Sequence, residues 1–139
     1  MANVVLRFSI YSNNNDNVKS IYTLKEKLPI PVSFYLKGDP VIMNKITPPG
    51  RLRKETSFDY KYEINEIDQI QVCSEIWLNT WRDKVDILQL AKKEFEFELS
   101  LNYEITIFEY NYPELYFDPD FLLLLGEVGI VLSFYFYQE

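Results

Sequence analysis

The chain has 139 residues, 47% of them hydrophobic and 25% charged, and its net charge at neutral pH is −7. This length and balance fit one globular domain with its own core and exclude wholesale disorder. The single cysteine, Cys73, excludes an internal disulfide framework and predicts a reducing compartment. Because we find neither a signal-peptide pattern nor an uninterrupted apolar stretch of membrane-spanning length, we expect a cytoplasmic protein.

The first third of the chain predicts a strand, a helix and a second strand. Residues 4–11 alternate between apolar and wetter side chains, which is typical of a strand with one buried face. Asn15 or Asp16 is expected to cap a helix that Pro29 ends. The apolar stripe of this helix has steps of three and four: Val18, Ile21, Leu24 and Leu28. Residues 32–36 predict the second strand.

The middle of the chain predicts a loop, a strand and two helices. Proline and glycine in residues 38–50 favour a loop, and the alternation over residues 56–64 favours a strand. Its predicted buried side chains are Phe58, Tyr60, Tyr62 and Ile64. Helices are expected over about 68–79 and from Thr80 to about Glu98, because a hydroxyl at Thr80 precedes a carboxylate by three residues. The second helix has the apolar stripe Val85, Leu88, Ala91 and Phe95.

The last third predicts a strand, a short helix and a final strand. Residues 103–108 alternate, Asp118 and Pro119 are a favoured helix start, and Gly129 is the expected helix stop. Residues 130–137 predict the last strand. Its inward side chains are expected to be Ile130, Leu132, Phe134 and Phe136.

These elements predict an α+β fold in one domain over residues 1–139. Strands that each have a wetter face favour a two-layer sandwich, with a mainly antiparallel sheet and helices on one face. The first six elements have ferredoxin-like order, and a helix–strand unit is appended to them.

Several motifs along the chain resemble one bacterial family. They are Phe8-Ser9-Ile10-Tyr11, Lys37-Gly38-Asp39, Gly50-Arg51-Leu52-Arg53-Lys54-Glu55-Thr56-Ser57-Phe58 and Leu115-Tyr116-Phe117-Asp118-Pro119-Asp120-Phe121. Together they resemble the bacterial domain of unknown function family 4279 over nearly the whole chain. Phe58 stands where the family pattern leads us to expect Trp. The resemblance carries over no activity, cofactor or site residue, and it implies an association with toxin–immunity neighbourhoods.

The residue types that most catalytic sites need are missing from the chain. There is no histidine, a single cysteine cannot form a thiolate zinc site, and the four glycines form no phosphate-binding run. Carboxylate chemistry or a Mg²⁺ or Ca²⁺ site stays open. However, Glu94, Glu96 and Glu98 are expected to fan out around a helix, and capping accounts for Asp118. We therefore expect no enzyme, no cofactor and no metal.

The charge is divided unevenly along the chain. Residues 1–62 carry ten Lys/Arg and five Asp/Glu, whereas residues 63–139 carry four Lys/Arg and sixteen Asp/Glu. An acidic half of this size attracts basic surfaces and repels nucleic acid, although a solvated acidic face is an equally ordinary explanation. Glu94 and Glu98 are the candidate binding residues on the predicted acidic helix.

Two further groups are candidates for partner binding. The first is the basic cluster of Arg51, Arg53 and Lys54, which is suited to binding phosphate or carboxylate groups. Alternatively, these side chains neutralise the acidic half of the chain. We expect Arg51 and Arg53 to pair with carboxylates from residues 63–139. Aromatic residues make up 17% of the chain, and four of them are expected on the wetter sheet face, where they bind a partner or only cover the sheet. These are Tyr11, Phe108, Tyr135 and Tyr137.

The sequence favours a non-enzymatic protein-interaction module, with an immunity-type inhibitor of a basic toxin as the specific hypothesis. Its acidic surface would block a basic active site, and no membrane is involved. The alternative is single-stranded nucleic-acid binding through the aromatic sheet face and Arg51, Arg53 and Lys54, which the negative charge opposes. A carboxylate-based hydrolase is the third hypothesis.

Overall fold

The computed structural model describes residues 3–42, 50–64, 70–110 and 112–138. Its elements follow in this order: β1 (Asn3–Ser12), α1 (Val18–Lys27), β2 (Ser33–Tyr35), β3 (Thr56–Ile64), α2 (Ile70–Trp81), a 3-10 turn (Arg82–Lys84), α3 (Val85–Lys93), β4 (Glu98–Ile107), α4 (Pro119–Val128) and β5 (Val131–Gln138). The α+β class predicted from the alternation patterns is confirmed. No helix in the described ranges is long and apolar enough to cross a membrane.

The strands form one open sheet in the order β2-β3-β1-β4-β5. β1 lies at its centre and pairs antiparallel with β3 on one side and β4 on the other. β2 is antiparallel to β3, whereas β5 is parallel to β4. A parallel neighbour needs a crossover, and α4 provides it between β4 and β5. The prediction of a mainly antiparallel sheet is therefore confirmed.

One face of the sheet forms the core together with the helices. Phe8 in β1 is fully buried, and its ring centroid lies 5.3 Å from that of Trp77 and 4.8 Å from that of Trp81. The same core includes Leu24 of α1 and Phe121 of α4. We call this the core face. The opposite side of the sheet, which we call the open face, carries mostly polar side chains that stay partly accessible.

The first helix begins differently from the prediction. Asn17 is the N-cap, because its side chain accepts hydrogen bonds from the backbone N–H groups of Lys19 and Ser20. The amide of Asn15 instead donates to the backbone carbonyl oxygen of Phe95 over 2.7 Å. Val18, predicted in the apolar stripe, is 55% exposed because it occupies the first turn, outside the packed part of the helix.

The predicted break at Thr80 and the predicted end near Glu98 are both wrong. α2 continues to Trp81, and the Thr80 hydroxyl donates back to the Ile76 carbonyl instead of capping a new helix. α3 ends at Lys93, and Glu98 is the first residue of β4. Residues 98–106 pair with β1, and this long-range pairing overrides their local tendency to continue the helix.

The end of the chain confirms the helix start and stop and corrects the predictions for Asp118, Phe136 and Phe108. α4 extends from Pro119 to Val128, and its C-cap is Gly129, whose φ of 84° is the left-handed conformation that glycine adopts freely. Asp118 occupies the N-cap position, but its side chain makes no capping hydrogen bond. Phe136 was predicted inward and is 51% exposed, because β5 lies at the edge of the sheet. Phe108 lies beyond the end of β4.

Candidate functional site

The open face contains a depression of about 420 Å³. Its floor consists of short polar side chains: Ser9, Ser57, Asp59, Ser100 and Asn102. Larger side chains border it, among them Arg7, Tyr11, Tyr35 and Glu55. We call these nine residues the sheet-face cavity.

Strand register explains why the cavity forms at this place. Ser9 of β1 lies between Asp59 of β3 and Ser100 of β4, so three short side chains follow one another across the sheet. Cross-strand neighbours on one face lie about 5 Å apart, and the row therefore leaves a trough in the sheet surface. The next row contains Tyr11, and its long side chain forms one wall of the trough.

Asp59 is the carboxylate at the centre of the cavity. Its two oxygens accept hydrogen bonds from Ser57 Oγ over 2.7 Å and from Ser33 Oγ over 3.0 Å. Ser57 is buried and Asp59 is half-buried, so the carboxylate is held in a fixed orientation. Both donors are neutral, which leaves the negative charge of Asp59 uncompensated by these contacts.

Glu55 adds a second negative charge at the border of the cavity. Partial burial, followed by the nearby charge of Asp59, raises the pKa of Glu55 above its ordinary range. The pKa of Tyr35 is raised as well, first by burial and then by Asp59. Burial is the larger cause of both shifts, and the charge of Asp59 adds to it in both cases.

The cation that lines the cavity is already paired with another carboxylate. Arg7 Nε lies 2.9 Å from Glu104 Oε1 in a hydrogen-bonded ion pair. Glu104 is in β4, and its pairing with Arg7 leaves Asp59 and Glu55 without this cation as an ion-pair partner. The other nearby guanidinium in the described residues is that of Arg53, which lies against the ring of Tyr35 at the border of the cavity.

The Gly-Arg-x-Arg-Lys motif forms one side of a short ribbon next to the cavity. Arg53 N–H donates to the Asp39 carbonyl over 2.7 Å, and Val41 N–H donates to the Arg51 carbonyl over 3.0 Å. Gly50, at the start of this side, has a φ of 70°. We call residues 38–42 and 50–53 the ribbon.

The ribbon is fixed to the cavity through an aromatic ring. The guanidinium carbon of Arg53 lies 4.1 Å from the ring centroid of Tyr35, which is a cation–π contact. Arg53 was predicted to pair with a carboxylate of residues 63–139. It instead contacts the aromatic ring of Tyr35 in β2. Arg51 and Lys54 are exposed.

The predicted aromatic group does not converge on one place. Tyr11 lines the cavity, but Tyr135 is paired with Glu104 and Tyr137 with Thr106, near the opposite end of β4. Six residues of β4 separate the rows of Tyr11 and Tyr135, which corresponds to about 20 Å. Non-aromatic side chains, among them Ser9, Arg7 and Asn102, occupy the area between them, and a stacking platform for bases needs aromatic rings there.

Glu94 and Glu98 also do not share a helix face. Glu94 is the C-cap of α3, whereas Glu98 begins β4 and lies 3.5 Å from the ammonium group of Lys92. Carboxylates from the acidic half line two depressions between α2 and α4 that share Leu78, Arg82 and Asp120. These are Glu75, Asp118, Asp120 and Glu127.

The carboxylates of the cavity, Asp59 and Glu55, were not among the site residues predicted from the sequence. The alternation of β3 predicted Asp59 on the wetter face, but only the register shows that it lies beside Ser9 and Ser33. Glu55 lies inside the motif and was not selected, because its neighbours are basic. Cys73 is a core residue: burial raises the pKa of its thiol to about 11, so it stays protonated at neutral pH.

Comparison with known proteins gives a family and no further relatives. No curated protein and no solved structure matches the chain significantly. The model of one family, described as "Domain of unknown function (DUF4279)", matches residues 3–139. The chain therefore belongs to this family, as the motifs around Arg51, Arg53 and Asp118 predicted.

Proposed function

We propose that this chain is a non-enzymatic protein-interaction module of the cytoplasm, which binds a basic partner through the sheet-face cavity. The observation that carries this proposal is the presence of two carboxylates, Asp59 and Glu55, in one cavity whose lining cation is paired elsewhere. A lysine or arginine side chain of the partner supplies the missing positive charge.

The residues around the two carboxylates suit a guanidinium or ammonium group. Asp59 accepts charge-assisted hydrogen bonds, and its orientation is set in advance by Ser33 and Ser57. The rings of Tyr11 and Tyr35 offer aromatic surfaces, and Tyr35 already binds the guanidinium of Arg53 within the chain. The pKa of Glu55 is raised first by burial and then by the charge of Asp59, and a bound cation offsets the second of these causes.

An immunity-type inhibitor is the specific role that we propose for this module. The net charge of −7 and the carboxylates between α2 and α4 attract a basic toxin over a range of about 8 Å at physiological ionic strength. The cavity then fixes one of its basic side chains. Neither nucleic-acid binding nor hydrolysis is proposed, because Asp59 and Glu55 disfavour a phosphate in the cavity and two carboxylates alone define no reaction.

We also propose that the first six elements form a ferredoxin-like unit to which α4 and β5 are appended. The strand order β2-β3-β1-β4 and the two helical crossovers support this proposal. A crystal structure in which β1 pairs with a different strand would contradict it.

The binding proposal is tested by NMR titration of the ¹⁵N-labelled protein with N-acetyl-arginine amide. We expect amide shifts at Ser9, Asp59 and Ser100, with a dissociation constant on the order of millimolar for one side chain. N-acetyl-glutamate amide is the opposite-charge probe and should cause no such shifts. Shifts by both probes, or shifts confined to other residues, would contradict the proposal.

The protein partner is tested separately by affinity capture from the native host, in parallel samples with and without nuclease treatment. A recovered basic protein should bind more weakly as salt rises, and its binding should fall for Asp59→Asn and stay unchanged for Glu26→Gln. Glu26 is an exposed carboxylate of α1 and serves as the matched control. Recovery of nucleic acid without protein would contradict the proposed function.

A further inference from the structure

A groove lies between α2 and α4 on the helical side of the protein. It consists of the two depressions that share Leu78, Arg82 and Asp120, with volumes of about 350 and 240 Å³. Both helices pack on the core face of the sheet, where the ring centroids of Trp77 in α2 and Phe121 in α4 lie 5.6 Å apart. We call the two depressions together the helix groove. It is on the opposite side of the sheet from the sheet-face cavity.

The floor of the helix groove is apolar. Leu78 of α2 and Leu124 of α4 line it and are almost fully buried, and the half-buried Val85 of α3 lies beside them. Leu123 of α4 borders the same groove and is 68% exposed. Because a surface helix normally carries polar side chains on its outer side, Leu123 adds an apolar surface that a partner can cover.

Carboxylates surround this apolar strip. Arg82 is the one basic side chain among the described residues that line the groove, so four negative groups and one positive group give it a formal charge of −3. Within the described ranges, no ion pair involves any of these four carboxylates. The carboxylates are Glu75, Asp118, Asp120 and Glu127.

The charge of the groove restricts what covers it. Nucleic acid, an anionic membrane surface and a second copy of this chain, whose net charge is −7, all bring further negative charge. A basic protein segment brings the opposite charge. Because Leu78, Leu123 and Leu124 are apolar, the segment also needs an apolar side that faces them.

A helix has the shape that this groove requires. The side-chain ridge of one helix packs into the groove between others, at interaxial distances of about 8–10 Å. Apolar side chains spaced three and four residues apart lie on one side of such a helix and reach the floor. The side chains that flank them reach the rim, where the carboxylates lie.

We propose that the helix groove binds a basic amphipathic helix of a protein partner. Apolar side chains of that helix cover Leu123 and contact Leu78 and Leu124, and its lysine or arginine side chains pair with the carboxylates. Asp120 is the central carboxylate, because it lines both depressions. The inference adds a second binding surface and rests on the proposed function only in that the partner is basic.

A peptide of leucine and lysine tests the groove, with leucines at positions i, i+3, i+4 and i+7 so that one side of the helix is apolar. Calorimetry should give a dissociation constant on the order of 10 µM, and ¹⁵N NMR should show amide shifts at Leu78, Asp120 and Leu123. A control peptide of the same composition, with its leucines spread around the helix, should bind at least about tenfold more weakly. Equal affinity for the two peptides, or shifts only outside the groove, would overturn the proposal.

Paired variants locate the contact. Leu123→Ala should weaken peptide binding about tenfold through lost apolar contact, and Asp120→Asn about fivefold through a lost exposed ion pair. Leu122→Ala and Asp86→Asn are the matched controls and should bind as the wild type does. Leu122 is the preceding exposed residue of α4, Asp86 is an exposed carboxylate of α3, and neither lines the groove. Urea unfolding verifies the fold of each variant. Equal weakening by the controls would overturn the proposal.

Further measurements separate this inference from the proposed function and from self-association. Asp59→Asn should leave peptide binding unchanged, and Asp120→Asn should leave binding of N-acetyl-arginine amide unchanged, so the failure of one site is distinguishable from the failure of the other. If Asp59→Asn weakened both ligands, the peptide would occupy the sheet-face cavity and the proposal would be wrong. Sedimentation without peptide should be the same for the wild type and Leu123→Ala. A dimer that Leu123→Ala dissociates would make a second copy the occupant and overturn the proposal.

Discussion

The two faces of the sheet differ residue by residue along the central strand. Phe8 points into the core, where two tryptophan rings contact it, and Ser9 points into the cavity between Asp59 and Ser100. Since successive side chains of a strand alternate, one strand provides folding energy on one side and a binding surface on the other. The open face can therefore change its chemistry at little cost in stability.

The largest expected effect is a difference in the free energy of unfolding between variants of two neighbouring residues of β1. Phe8→Ala leaves a cavity among aromatic rings and should lower the free energy of unfolding by about 3–5 kcal/mol. Ser9→Ala, on the open face, should change it by no more than about 0.5 kcal/mol. Urea unfolding followed by tryptophan fluorescence measures both. Similar losses for the two variants would show that the open face also supports the fold.

A second experiment removes the central charge of the cavity. Asp59→Asn keeps the shape and accepts hydrogen bonds, but it removes the ionic attraction for a guanidinium. We expect about a tenfold weaker affinity for N-acetyl-arginine amide, equivalent to about 1.4 kcal/mol. Ser9→Ala tests whether shape alone matters, and its affinity should change less. An unchanged affinity of Asp59→Asn would exclude the cavity as a cation site.

A third experiment removes the contact between Arg53 of the ribbon and Tyr35 of the sheet. Arg53→Ala removes the guanidinium from the ring of Tyr35 and should lower the free energy of unfolding by about 0.5–1 kcal/mol, as for an exposed cation–π contact. Lys54→Ala is the matched control, because Lys54 is exposed and belongs to the same motif. Equal thermal melting temperatures for the wild type and Arg53→Ala would show that the stacking does not contribute to stability.

The smallest expected effect is the pH dependence caused by Glu55. Its pKa is raised in the folded protein, so the folded state binds a proton more tightly than the unfolded state. The resulting stability is present below the ordinary glutamate value of about 4.3 and is lost as pH rises through the raised value. Glu55→Gln should remove this contribution and flatten the pH dependence of the urea midpoint. An identical slope in the variant would contradict this assignment.

Cation binding at the same residue should have the opposite pH dependence. The ionised carboxylate attracts the cation, so affinity for N-acetyl-arginine amide should fall as pH drops through the raised pKa of Glu55. NMR titrations at several pH values measure this change. The affinity of Glu55→Gln should vary less over the same range.

Sequence periodicity was sufficient to predict most of the helices and strands. The bounds of β3, Thr56–Ile64, agree with the alternation over residues 56–64, and α4 begins at the predicted Pro119. In these segments the local pattern and the tertiary environment favour the same structure. At Glu98 they differ: helix propensity favours continuation, but pairing with β1 makes this residue part of β4.

The sequence by itself determined the fold class, the family and the polar character of one sheet face, because alternation and short motifs are local properties. Only the tertiary structure decided which polar residues meet. Asp59, Ser9 and Ser100 are far apart in sequence and become neighbours through strand register, which depends on long-range pairing. The same pairing made β5 an uncharged edge strand, whereas its sequence alone was equally compatible with a central position.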